Sequence, residues 1–121
     1  MSYYFSKTIT ASFEDAVARV TEALKKEGFG ILTDIDVQAT LKKKLNTEFR
    51  KYRILGACNP PFAYQALLAE DRIGTMLPCN VIVQEWPGSG VEVSAADPVA
   101  SMATVRNPQL GKIAAERCEQ S

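Results

Sequence analysis

Two Cys-Asn pairs, Cys58-Asn59 and Cys79-Asn80, are the residues of this chain best suited to chemistry. A thiol reacts as its thiolate, and the positive end of a helix lowers the cost of that charge. Cys58 stands directly before Asn59-Pro60, which reads as a helix start, with Asn as cap and Pro at the first helical position. With Cys79 brought near, the pair could hold a soft metal or cycle between dithiol and disulfide. The competing reading is packing, because free cysteine is among the most buried residue types. The chain has no His and no CxxC pair, and no third ligand is visible beside these two. Packing is therefore the leading reading for both. Cys118 falls on the apolar stripe of a C-terminal helix and reads as core.

The remaining chemical candidates are weaker. Asp34 and Asp36 alternate with apolar residues, which places the two carboxylates on an exposed strand face. General acid–base work needs one carboxyl raised by burial, and an exposed pair lacks that. Gly88-Ser89-Gly90 has neither the Lys nor the following helix of a phosphate loop and reads as a hairpin turn. Arg72 and Arg106 could meet an anion, but nothing positions them. The absence of His removes Ser-His-Asp and Cys-His mechanisms and the common catalytic zinc sites.

Charge argues the same way. Lys and Arg number 14, Asp and Glu number 14, and a neutral chain is not built as a polyanion binder. The first 60 residues hold ten basic and seven acidic groups, with the excess at Lys42, Lys43, Lys44, Arg50, Lys51 and Arg53. That stretch lacks aromatics interleaved to stack on bases, so a solvated helix and loop is the better reading and nucleic acid is not an expected partner.

The elements that must position these residues follow from periodicity. Tyr3 to Thr10 is β-branched and aromatic, the mark of a strand. Ser12 then caps a helix carrying Phe13, Ala16, Val17, Val20 and Leu24 on one stripe, and Gly28 stops it. Phe29 to Val37 alternates, so Phe29, Ile31, Ile35 and Val37 are expected against the helices, with Asp34 and Asp36 opposite. A short helix is expected over 39–46, with Leu41 and Leu45 one turn apart, then a strand over 52–57. The Asn59-Pro60 helix would turn Phe62, Ala63, Ala66 and Leu67 inward and end near Gly74. Cys79 to Trp86 and Val91 to Ala95 form a hairpin around Pro87-Gly88-Ser89-Gly90. A turn of helix over 99–103 and a final helix over 108–119, bearing Leu110, Ile113, Ala114 and Cys118, complete the chain. This order predicts one α+β domain over 1–121, with two layers: a mainly antiparallel sheet of about five strands and helices packed on it. Antiparallel strands would bring Cys58 and Cys79 to the same end of the sheet, within about 10 Å. Leu32, Ile82 and Trp86 leave more apolar surface than a wet face needs, so a homodimer with Trp86 at or near its interface is expected.

Two stretches carry a family resemblance. Tyr52-Arg53-Ile54-Leu55-Gly56-Ala57-Cys58-Asn59-Pro60-Pro61 and Leu77-Pro78-Cys79-Asn80-Val81-Ile82-Val83 strongly resemble the prokaryotic family called domain of unknown function 302. The stretch from Gly28 to Val37, the Ala39-Thr40-Leu41-Lys42 segment and Asp97-Pro98 support it. The resemblance implies a small α+β fold, often homodimeric, and no activity, because the family is uncharacterised.

The N-terminus lacks the basic start and long apolar stretch of a signal peptide, and no run approaches the ~20 residues of a membrane helix. A cytoplasmic protein with reduced cysteines is expected. Its expected role is a homodimeric module that binds a small ligand or partner without catalysis and needs no cofactor. Cys58, Asn59, Cys79 and Asn80 are the candidate ligand-binding residues. The alternative is a thiol-dependent redox or soft-metal protein using Cys58 and Cys79.

Overall fold

The computed structural model describes residues 3–97. The expected helical segments over 99–103 and 108–119, with Cys118, lie outside the described residues.

Five strands form one sheet: β1 (Tyr4–Ile9), β2 (Gly30–Asp36), β3 (Tyr52–Cys58), β4 (Cys79–Trp86) and β5 (Gly90–Ala96). The order across the sheet is β1-β5-β4-β3-β2, and every neighbouring pair is antiparallel. Three helices, α1 (Phe13–Lys26), α2 (Val37–Leu45) and α3 (Pro60–Ala69), and a 3-10 turn over Ile73–Met76 complete the described fold. It is the expected α+β architecture.

Helix α1 begins where its cap dictates. The Ser12 hydroxyl accepts the Asp15 N–H at 3.2 Å, and Glu14 and Asp15 occupy the positive end. Its apolar stripe supplies Phe13 and Ala16 to a core with Leu55, Val83 and Val91, and Val17 and Val20 flank it. The pairing register puts Leu55, Val83 and Val91 on one face of β3, β4 and β5. A second core, Phe62, Ala66 and Ile73, joins α3 to the 3-10 turn, with Leu77 and Cys79 against it.

Strand β2 departs from its expected pattern. Ile31 pairs with Ala57, but Thr33 pairs with Gly56, so Leu32 is an extra residue and the register shifts. One inserted residue reverses the face of everything after it. Ile31 packs against the α1 core as expected. Beyond the bulge, Asp34 lies opposite Leu55 and Ile35 opposite Ile54, which exchanges their expected faces. Ile35 is 47% exposed on the side away from α1. Asp34 remains accessible at the sheet edge, where the Arg53 guanidinium grips its carboxylate through two nitrogens. The strand stops at Asp36, whose carboxylate caps α2, so Val37 is the first residue of a helix and not the last of a strand. Helix α2 buries no residue, and Leu45 lies exposed. Helix α3 turns Phe62 and Ala66 inward, leaves Leu67 exposed, and ends at Ala69, short of Gly74.

The bulge also explains a glycine. A Cβ on Gly56 would lie 2.1 Å from the Thr33 hydroxyl and 2.7 Å from the Pro78 ring. A Cβ on Gly30, in the same sheet, would meet nothing within 4 Å. Gly56→Ala is expected to lower the urea-unfolding free energy by about 1–3 kcal/mol, and Gly30→Ala to change it by less than about 1 kcal/mol. Equal effects at the two positions would contradict this account of the bulge.

Candidate functional site

Asn59 organises the end of the sheet where the cysteines lie. Its side-chain carbonyl accepts the Phe62 N–H at 3.0 Å, closing the first turn of α3. Its amide nitrogen donates to the Gly28 carbonyl at 3.2 Å. Gly28 takes φ +86°, the left-handed stop after α1, and the chain folds back so that the Phe29 N–H reaches the Leu24 carbonyl at 2.8 Å. One buried amide thus ties the start of α3 to the exit of α1.

Phe29, Leu24 and Phe62 are brought together over the sheet by this tie. They line an apolar hollow of about 140 Å³ with Phe5, Val81 and Cys79. A second hollow, of about 260 Å³, lies beside it and is lined by Leu32, Cys58, Asn59, Leu77 and Pro78. Ala57, Phe62 and Cys79 border both. Asn80 reaches the first hollow from an exposed position on β4.

The cysteines meet as antiparallel pairing requires. Ala57 is the partner of Cys79, so Cys58 is one residue out of register with it. A cross-strand spacing of about 5 Å and a rise of about 3.4 Å put their Cα atoms about 6–7 Å apart. Alternation along β3 turns Cys58 away from the face that carries Ala57 and Cys79. Burial raises the Cys79 thiol above its ordinary value, and the neighbouring Cys58 raises it further. Among the described residues, no group of three His, Cys, Asp or Glu side chains could hold a metal ion.

The structure therefore brings Cys58, Asn59 and Cys79 to one hollow and Asn80 to the rim of the next. Both Asn59 side-chain polar atoms are engaged in holding the backbone. Sequence reasoning missed Phe5, Leu24 and Phe29 as lining residues. Phe29 carried a usable signal, an aromatic directly after a helix-stopping glycine. The basic stretch, meanwhile, is divided among local partners: Lys42 with Glu48, Lys51 with Glu14, Arg53 with Asp34.

A family model described as a domain of unknown function, DUF302, matches residues 5–120. The chain belongs to the DUF302 family. A crystal structure of an uncharacterized conserved DUF302 protein from Bacillus stearothermophilus superimposes on it with a TM-score of 0.91. The two are 25% identical, and the match covers 99% of this chain and 93% of the other. No curated protein matches the chain. Family membership thus fixes the α+β fold of this DUF302 chain and names no activity.

Two outcomes are expected at this site. Asn59→Ala is expected to cost about 2 kcal/mol in urea unfolding, because it removes a cap and strands the Gly28 carbonyl. In Cys58→Ser, alkylation of Cys79 followed against pH should still show a midpoint above that of an ordinary thiol, since burial is the larger cause. Stability falls as pH rises from the ordinary thiol value towards the raised one, because the unfolded chain loses its proton first. A midpoint below that of a free thiol would contradict the assignment.

Proposed function

We propose that this protein is a homodimeric, non-catalytic module that binds a small apolar ligand in the hollows beside Phe62 and Cys79. The observation that carries the reading is the lining itself. Phe5, Leu24, Phe29, Phe62 and Val81 surround a 140 Å³ space with almost no polar surface. An apolar hollow of this size suits a guest about as large as benzene. The Asn59 tie supports a preformed space, because it fixes two of the three walls. The candidate residues then divide by role: Cys58 and Cys79 contribute polarizable surface, Asn59 holds the walls, and Asn80 offers a polar group at the rim.

The dimer contact proposed here is α3, in place of the Trp86 surface expected from the sequence. Trp86 is covered on one side by the Arg50 guanidinium, 4.0 Å from its ring, so its apolar surface is already partly occupied. Helix α3 instead leaves Tyr64, Leu67 and Leu68 exposed, the last at 70%. The i, i+4 pairs Ala63–Leu67 and Tyr64–Leu68 make this one continuous stripe, and Leu32 and Ala63 both line the hollow beside it. An apolar stripe left exposed among the described residues suits a second copy of the chain. No described helix is long and apolar enough to cross a membrane, and the proposed setting is the cytoplasm, where thiols stay reduced.

Indole tests the ligand reading. Saturable NMR shifts at Phe29, Val81 and Ala95, with a rise in melting temperature, are expected, and both should be lost in Ala95→Leu, which fills the hollow. Absence of saturable shifts there overturns it. Sedimentation tests the assembly: a dimer at tens of micromolar that Leu68→Glu converts to a folded monomer is expected, and a monomeric parent chain contradicts it.

The thiol-dependent alternative rests on the adjacency of Cys58 and Cys79. The raised Cys79 thiol counts against it, because a reactive thiol needs the opposite shift. An air-oxidised sample that forms a reversible Cys58–Cys79 disulfide would reverse that preference.

A further inference from the structure

The face of the sheet turned away from α1 carries a second, chemically different site. A line of hydrogen-bonded side chains crosses four neighbouring elements there. The Arg50 Nε donates to the Gln84 side-chain carbonyl at 2.9 Å, which fixes the orientation of that amide. The Gln84 Nε2 donates to Glu92 Oε1 at 3.1 Å, and the Ser94 hydroxyl donates to the same oxygen at 3.3 Å. Because Ser94 donates to Glu92, Ser6 must donate to Ser94 across their 3.0 Å contact. Gln84 and Ser94 are 6% and 7% exposed, so the middle of the line is buried, and both buried members have partners. Arg50 is itself held by ring faces, 4.0 Å from Trp86 and 4.4 Å from Phe49.

Glu92 is where the line opens. Its Oε1 accepts two bonds, and its other oxygen has no partner among the described residues. The carboxylate lies in a groove of about 450 Å³ that Tyr3, Tyr4 and Tyr52 also line, with Asn80 and Ser94. Sites for small molecules usually span about 300–1,000 Å³ and pair apolar walls with a few placed polar groups. A fixed negative charge beside tyrosine rings selects a cation, because carboxylate oxygens and aromatic faces both attract positive charge. The Arg50 guanidinium is not part of the groove lining, but it lies 5.6 Å from the centre of the Tyr52 ring, so a ligand cation has to sit at the Glu92 side of that ring.

We propose that this groove binds a primary organic ammonium ion, with Glu92 as its counter-ion and the rings of Tyr4 and Tyr52 as its walls. The ammonium supplies three donors. The free Glu92 oxygen takes one, and solvent is available to the others. Gln84 acts as a positioning residue, since it holds one oxygen of the Glu92 carboxylate, and Arg50 orients the Gln84 amide. Glu92 itself lines the groove and neither hollow, while Asn80, Ala95 and Ala96 border both the groove and the first hollow.

The test is an NMR titration of the isotope-labelled full chain with benzylammonium, benzyl alcohol and benzoate. Saturable shifts at Glu92, Ser94 and Tyr52 are expected with benzylammonium, about tenfold weaker binding with benzyl alcohol, and none in the groove with benzoate. Glu92→Gln keeps an acceptor for Gln84 and Ser94 while removing the charge. It should weaken benzylammonium about tenfold and leave benzyl alcohol unchanged. Benzyl alcohol binding as tightly as benzylammonium overturns the proposal, as does a parent chain with no saturable shift in the groove. The three-ligand comparison on the parent chain decides the matter even if the variant misfolds. Shifts at Phe29 and Val81 report the hollows on the opposite face, so failure there and failure here are read separately.

Discussion

The buried Asn59 amide is the contact on which this end of the molecule depends. Asparagine suits the position because it both accepts and donates, and the two backbone groups it meets are of opposite kinds. Aspartate would cap α3 equally well but would face the Gly28 carbonyl with a second acceptor. Serine would reach the cap and fall short of Gly28. The consequence runs outward: α3 is fixed relative to α1, Phe62 is fixed relative to Leu24 and Phe29, and among the described residues no helix fills the space between them. The first hollow lies between the two helices that this side chain joins.

Much of the fold was legible because local signals were strong. Ser12, Asn59-Pro60 and the Pro87–Gly90 turn each mark a boundary by their own backbone chemistry, and the structure places elements where they say. The convergence of Cys58 and Cys79 was legible for the same reason, since alternation and a tight hairpin both argued for antiparallel strands. The exchange of Asp34 and Ile35 was not. A bulge adds one residue without changing composition, and Leu32 is as good a strand residue as its neighbours. What requires the bulge is the contact of Thr33 over Gly56, a relation between residues 23 positions apart that no local period reveals. The phenylalanines of the hollow were hidden likewise: core and ligand-lining aromatics look identical until their surroundings are known.

The two faces of the sheet divide the chemistry. On the α1 side, apolar residues meet apolar residues, and the space left among them carries no charge. On the other side, a chain of polar side chains is buried among tyrosines and a tryptophan. Burying such a network costs more than burying hydrocarbon unless every group is paired, and Arg50, Gln84, Ser94 and Ser6 meet that condition. This division leaves the two faces of the sheet chemically unlike, with apolar hollows on one and a carboxylate among tyrosines on the other.

The central claim is that the space beside Phe62 and Cys79 is a preformed apolar hollow that takes an apolar guest. Diffraction from crystals of the protein pressurised with xenon measures this directly, because xenon enters dry cavities and displaces ordered water poorly. The account predicts xenon density enclosed by Phe29, Phe62 and Val81, with no movement of α3. Ordered water hydrogen-bonded in that space, or a collapsed cavity that excludes xenon, would contradict it.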